Sequence, residues 1–195
     1  MIIAIGDWVL RMACHELVRL QAMGLSDLRM SVNVSQIQFR HPEFIEKLKA
    51  ALVDTQINPK CLELEITESV AMDDPDFILE TMHLIRQLGI SIAIDDFGTG
   101  YSSLSHLRQL PIDRLKIDRA FVSELSDKVS GGHIASMVIE LGRNLNLTVI
   151  AEGIEDEAQA RTLREMGCHE GQGYLYARPL PAVQLKDWLR AHLQH

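Results

Sequence analysis

The sequence is short of everything that would tie it to a membrane, an oxidising compartment or a polyanion. Only three of its 195 residues are cysteines, Cys14, Cys61 and Cys168, an odd number without metal-ligand spacing. They read as reduced, mostly buried thiols, which excludes a disulfide framework and points to a cytoplasmic setting. The eight histidines form no His-Glu-x-x-His pair and no other close ligand spacing, so a histidine zinc site is not indicated. No signal peptide is visible, and no apolar run reaches membrane-spanning length; the opening Met1-Ile2-Ile3-Ala4-Ile5 passes straight into a charged segment. Basic residues are outnumbered, 19 Lys and Arg against 27 Asp and Glu, for a net charge of −8. That balance argues against a nucleic-acid polymer as partner. A small anionic substrate remains compatible, provided metal ions offset the local negative charge. Linkers, low-complexity tracts and a second domain are also missing. What is present is a 47% hydrophobic chain, long enough for one sizeable core.

Periodicity predicts helices and strands in alternation. A helix is expected from about Ile3 to Met23, with Trp8, Val9, Met12, Ala13, Leu17 and Leu20 at helical spacing and Gly24 as its stop. Met30 to Ser35 reads as a strand. His41-Pro42 opens a helix with Phe44, Ile45, Leu48 and Leu52 on one face. Leu62 to Glu68 is the next strand. Asp74 and Pro75 read as the N-cap and first turn of a helix that buries Ile78, Met82, Ile85 and Leu88. Ile90 to Ile94 reads as a buried strand leading into Asp95-Asp96, followed by a loop and a short helix through Leu104 and Leu107. Further strands are expected at Arg114–Asp118, Leu147–Glu152 and Gly173–Ala177. Helices are expected along Ile134 to Leu145, from the Asp156 cap to Met166, and from Pro181 with Leu185, Trp188, Leu189 and Leu193 inward.

About six βα units at roughly 30-residue spacing imply a parallel sheet in an α/β fold. An eight-stranded barrel needs two more units, whereas an open doubly wound sheet could use six. Asn33, Glu65, Asp95, Lys116 and Glu152 decide between them, because they lie at the C-terminal ends of different strands. In a barrel those ends converge on one mouth; along an open sheet they would not meet. The expectation is an incomplete TIM-like (β/α) barrel whose first strands are missing.

The same residues suggest chemistry. Two adjacent carboxylates at a strand end raise each other's pKa unless a positive group lies between them. Asn33, Glu65, Asp95 and Asp96 offer oxygen donors only, which suits Mg²⁺ or Mn²⁺ better than zinc. With Glu152, the four carboxylates carry about −4, which matches two divalent ions. Two such ions can activate water and clamp a phosphodiester for in-line displacement, and Lys116 adds a charge to orient the water or stabilise the transition state. Each residue alone has a plainer reading. Asn33 could bond its own backbone, Glu65 and Glu68 could face solvent, Lys116 could pair with Asp113 or Asp118, and Glu152 could cap the following helix. Their joint placement at successive strand ends favours a site.

Six segments follow in one order: Asn33-Val34-Ser35, Glu65-Ile66-Thr67-Glu68, Asp95-Asp96-Phe97-Gly98-Thr99-Gly100-Tyr101-Ser102-Ser103, Lys116-Ile117-Asp118, Glu152-Gly153-Ile154-Glu155 and Gln172-Gly173-Tyr174. The set resembles the EAL domain, the cyclic di-GMP phosphodiesterase family of bacterial signalling proteins, along the whole chain, so that residues 1–195 read as a single partial EAL domain. The resemblance implies a barrel with one antiparallel strand, and Mg²⁺- or Mn²⁺-dependent hydrolysis of cyclic di-GMP to linear pGpG. By position, Asn33, Glu65 and Asp95 resemble ligands of a first ion. Asp95 would bridge to a second, joined by Asp96 and Glu152. Lys116 resembles the residue that positions the attacking water. Glu155 and Gln172, with Tyr174, belong to the substrate pocket, and Glu68 to the support of the loop after Asp96. That loop, Phe97 to Ser105, implies a homodimer and control of activity. Fusion to sensor or GGDEF domains, as in a membrane-anchored signalling protein with a cytoplasmic part, is also implied.

Two departures qualify the resemblance. The Glu-Ala-Leu tripeptide that names the family is absent, together with a metal-ligand glutamate and about two strands. His169-Glu170-Gly171 stands where the family carries bulkier apolar residues, so looser packing is expected there. The alternative to a phosphodiesterase is therefore a catalytically inactive cyclic di-GMP-binding or regulatory module. An unrelated metal-dependent barrel lyase or aldolase gives no reason for this ordered set.

Overall fold

Strands and helices alternate through residues 1–99, 104–126 and 132–192, which the computed structural model describes. The order is α1 (Ile2–Gln21), β1 (Met30–Asn33), α2 (Gln36–Phe39), α3 (Phe44–Thr55), β2 (Leu62–Thr67), α4 (Glu68–Ala71), α5 (Pro75–Gln87), β3 (Ser91–Phe97), α6 (Leu104–Leu107), β4 (Arg114–Ile117), α7 (Arg119–Ser123), α8 (His133–Leu145), β5 (Thr148–Ala151), α9 (Glu157–Met166), β6 (Glu170–Gly171) and α10 (Ala182–His192). The strands form one sheet in sequence order, β1 to β6, and each neighbouring pair is parallel. The sheet curls into a half-barrel, the incomplete TIM-like architecture expected from the strand-end pattern. The antiparallel strand implied by the resemblance is not among the described ones.

Alternation along each strand sorts the side chains. On β2, Leu62, Leu64 and Ile66 are buried under the helices, while Glu63 and Glu65 point to the concave side, where they meet Arg114 and Lys116 of β4. This is the barrel rule that inward residues of alternate strands share a layer. Outside the sheet, Ile78, Met82 and Ile85 of α5 and Leu48 of α3 are fully buried. Burying each such side chain contributes roughly 1.5–3 kcal/mol.

Several boundaries differ from the periodicity reading. In α1 the buried residues are Leu10, Cys14, Leu17 and Leu20, whereas Trp8, Val9 and Met12 are exposed. The helix carries two apolar stripes, and packing against α3 and β1 selects one. Ser35 ends no strand; it caps α2 in a capping box with Gln38, and the helix expected from His41 begins only at Phe44. Asp74 precedes α5 but with φ 35° and no side-chain cap; its carboxylate lies 3.7 Å from Arg40 instead. The last strand is Glu170–Gly171, not Gly173–Ala177. A Cβ on Gly173 would stand 2.1 Å from the Ile154 carbonyl oxygen, and the chain turns there through bonds from the Tyr176 and Ala177 N–H groups to the Gly173 carbonyl. This turn overrides the strand propensity of Tyr174-Leu175-Tyr176. His169, Glu170 and Gly171 are all exposed, as the expectation of looser packing has it, and two of them make specific contacts. Glu170 is held by Arg114, and His169 Nδ1 accepts from the Val149 N–H at 3.1 Å. Leu193 lies outside the described residues.

Candidate active site

The two aspartates share one face because β3 is irregular. In a regular strand, adjacent side chains point to opposite faces. Between Ile94 and Phe97 the register against β4 shifts, with Ile94 opposite Leu115 and Phe97 opposite Ile117. One residue of β4, Lys116, thus faces two of β3, Asp95 and Asp96, as in a β-bulge, which re-aims side chains at strand ends. Asp96 adopts φ 55°, a left-handed conformation that Asp tolerates better than most residues. Its N–H is bonded by Asp95 Oδ1 at 3.1 Å.

Lys116 is the centre of charge. Its ammonium, 3% exposed, lies 2.6 Å from Glu65 Oε2 of β2, 3.1 Å from Asp95 Oδ1 of β3 and 2.7 Å from Glu152 Oε1 beyond β5. Burial pulls its pKa down, but hydrogen bonds to Glu152 and Glu65 outweigh that and hold the proton on. Glu152 is raised above the usual carboxylate range by burial, with Lys116 opposing the rise. Asp96 is raised by burial first, then by the charge of Asp95 and by Asp118.

Oxygen atoms of Asp95, Asp96 and Glu152 all lie within 4.8 Å of one another. These hard oxygen donors, one in a left-handed backbone conformation and two held above their usual pKa, fit a divalent ion such as Mg²⁺ or Mn²⁺. Asn33 is the ladder partner of Glu65 at the end of β1 and is exposed there. Glu65, Asp95 and Glu152 meet on the concave side through the Lys116 ammonium.

Beyond Glu152 the wall is built by the chain after β5 and β6. The Gln172 N–H bonds the Ala151 carbonyl at 2.8 Å, and the Gln172 carbonyl accepts from Ile154 at 3.1 Å. Glu152, Glu155, Gln172, Tyr174 and Arg119 line one open cleft. Arg178 lies 4.6 Å above the Tyr174 ring, and Arg119 pairs with Glu155. Glu68 opens α4, is 3% exposed, and its Oε2 accepts from the Gly98 N–H at 2.9 Å. Gly98 sits at φ 99°, with a virtual Cβ 2.9 Å from the Phe121 ring. Of the loop expected to control activity, residues 100–103, including Tyr101, Ser102 and Ser103, lie outside the described residues.

Two residues beside the site were given no role from the sequence. Asp118 caps α7 through a 2.7 Å bond from the Ala120 N–H and reaches Asp96. Its signal was available, since it lies two residues after Lys116, just past the end of β4. Arg119 follows Asp118 at a helix start, and only the fold brings it opposite Glu155.

Comparison with known proteins decides the family. A family model described as EAL domain matches residues 1–179. The chain belongs to the EAL domain family. The bifunctional diguanylate cyclase/cyclic di-GMP phosphodiesterase MucR of Pseudomonas aeruginosa is 44% identical over 185 residues, 95% of this chain and 27% of that protein. The cyclic di-GMP phosphodiesterase NbdA of the same organism is 41% identical, over 98% of this chain and 24% of its own length. This EAL chain thus spans about a quarter of these relatives. Among solved structures, the MucR phosphodiesterase in complex with c-di-GMP superposes with a TM-score of 0.92 at 44% identity, covering 94% of this chain and 74% of that one. The EAL domain of Mycobacterium smegmatis DcpA gives 0.92 at 38% identity, covering 98% and 86%. No described helix is long and apolar enough to cross a membrane.

Proposed function

We propose that this EAL domain, in its full-length context, hydrolyses cyclic di-GMP to linear pGpG. The observation that carries the reading is the convergence of Asp95, Asp96 and Glu152 around the Lys116 ammonium; the relatives named as cyclic di-GMP phosphodiesterases supply the substrate. Asn33, Glu65 and Asp95 would hold a first Mg²⁺ or Mn²⁺ ion, and Asp95, Asp96 and Glu152 a second. Bound there, the pair would supply a nucleophilic water and charge neutralisation on the phosphodiester.

The chain's own groups do the rest. Lys116, kept protonated by its three carboxylate neighbours, orients the water in line with the phosphorus and offsets the charge gathering on the phosphoryl oxygens. One P–O bond forms to the water oxygen, and one breaks to the ribose 3′-oxygen, which leaves with a proton. Asp95 would serve as a ligand in both ion sites. Glu155 and Gln172 offer acceptor and donor groups to a guanine edge, and Tyr174 a stacking face. Glu68 fastens the start of the loop after Asp96, through which a homodimer would be built. The remaining length of the relatives leaves room for sensor or GGDEF domains in the whole protein.

A second reading is a module that binds cyclic di-GMP without turnover. Incubation of this chain with cyclic di-GMP and Mn²⁺, followed by chromatography of the nucleotides, separates the two. Linear pGpG supports the enzyme. Saturable binding with intact nucleotide supports the receptor, and neither outcome ends both.

A further inference from the structure

Beneath the candidate site lies a second charged layer that its chemistry does not use. Glu63, 1% exposed, accepts from Ser31 Oγ at 2.9 Å on one oxygen. Its other oxygen lies 3.1 Å from Arg114 Nε and 3.7 Å from Arg29. The far end of the Arg114 guanidinium forks onto Glu170, at 2.6 and 2.9 Å to its two oxygens. Glu63, Arg114 and Glu170 stand on β2, β4 and β6, each two residues before Glu65, Lys116 and Gln172. One pleat repeat, about 6.6 Å, therefore separates the lower layer from the site.

A closed barrel keeps its curvature through a continuous ladder of strand pairs. The described sheet ends at β1 on one side and at β6 on the other, and β6 has only two residues, paired as Ile150 with Glu170 and Ala151 with Gly171. So short a strand is weakly anchored by its ladder alone. Arg114 crosses the concave face as a chord and grips β6 by its side chain. We propose that the Glu63–Arg114–Glu170 layer positions the substrate wall, holding β6 inward so that Gln172 and Tyr174 face Glu152 across the cleft. The geometry of the fork supports this role, since a planar guanidinium bound at two points fixes direction as well as distance. The nucleotide part of the inference rests on the reading of the site as a cyclic di-GMP site.

Glu170→Gln is the informative variant, because it leaves the Glu63–Arg114 pair in place and loosens only the grip on β6. Hydrogen exchange is followed at the Gln172 amide, which is bonded to the Ala151 carbonyl, and at amides of the β2–β3 ladder. The expected result is at least tenfold faster exchange at Gln172 with the β2–β3 amides unchanged. Equal Gln172 protection in both proteins overturns the proposal, and so does uniform acceleration everywhere, which would mean general destabilisation. A second measurement compares Mn²⁺ affinity with the Kd for cyclic di-GMP. Retained Mn²⁺ affinity with a roughly tenfold weaker nucleotide Kd supports positioning, whereas equal loss of both overturns it. Should the unaltered chain bind no cyclic di-GMP, the functional reading fails while the exchange experiment still decides the role of Arg114 and Glu170. Arg114→Lys serves as a control; a lysine keeps the charge but not the fork, and Gln172 should exchange faster there too.

Discussion

The Lys116 ammonium and the Glu65 carboxylate, 2.6 Å apart, join β4 to β2 over the intervening strand β3. Both are almost wholly buried, so the pair is strong only while each charge keeps its partners. The same ammonium serves Asp95 and Glu152, which makes one lysine the counter-ion of three strands.

Lys116→Met should therefore strip the metal-free site of the cation that Glu65, Asp95 and Glu152 share. Leaving buried carboxylates without their charge partner costs about 3–5 kcal/mol. In urea unfolding the variant should lose stability on this scale, and added Mn²⁺ should recover more of the loss than it adds to the unaltered protein. Turnover should be lost in either case. An unchanged unfolding midpoint without metal would contradict the assignment.

Asp95→Asn keeps the shape and one oxygen donor but removes the charge that faces both proposed ions. Hydrolysis of cyclic di-GMP in Mn²⁺ should fall by about a thousandfold or more, equivalent to roughly 4 kcal/mol of transition-state stabilisation. The thermal melt of the metal-free variant should stay close to the parent, because the relieved repulsion with Asp96 offsets the lost contact with Lys116. Turnover near the parental rate would rule out the two-ion arrangement.

Glu63 predicts a pH dependence. Burial first of all holds its carboxyl above the ordinary 4.5, with the Ser31 bond and Arg29 opposing the rise. A raised carboxyl pKa means that the folded state binds the proton more tightly than the unfolded chain does. Its contribution to stability is complete below the unfolded value and is lost as pH climbs through the folded one. The difference in Tm between Glu63→Gln and the parent should therefore shift in favour of the variant as pH rises from about 4 to 7. A difference that stays flat or moves the other way would show that burial does not raise the Glu63 carboxyl.

The two stripes of α1 should respond differently. Leu17→Ala opens a cavity at a fully buried position and should cost about 2–5 kcal/mol. Trp8 is 62% exposed, so Trp8→Ser should change stability by about 0.5 kcal/mol or less. Ile2, Ile5, Trp8, Val9 and Met12 form an exposed apolar stripe, and such surfaces favour association. Sedimentation should show less self-association for Trp8→Ser than for the parent at equal concentration.

Much of this protein is determined locally. Hydrophobic period and helix stops at Gly89 and Gly167 placed most elements, because a βα unit writes its two periods into neighbouring residues. Polar residues at the ends of apolar strands marked the site, since nothing in a buried strand otherwise calls for Glu65, Asp95 or Lys116. The six ordered motifs by themselves point to the EAL family. Local pattern could not choose which apolar stripe of α1 is buried, because both have helical spacing and only contact with α3 and β1 distinguishes them. Nor could it foresee that Tyr174 would lie in a turn, because the obstacle to a strand is the backbone of Ile154 beside Gly173, distant in the chain. The bulge that turns Asp95 and Asp96 to one side exists only in the pairing of β3 with β4. The two ionic layers likewise exist only because the strands from β2 to β6 curl toward a common interior. A sequence states which charges are available. Which of them come within hydrogen-bond distance is decided by strand register and sheet curvature, and those are properties of the whole chain.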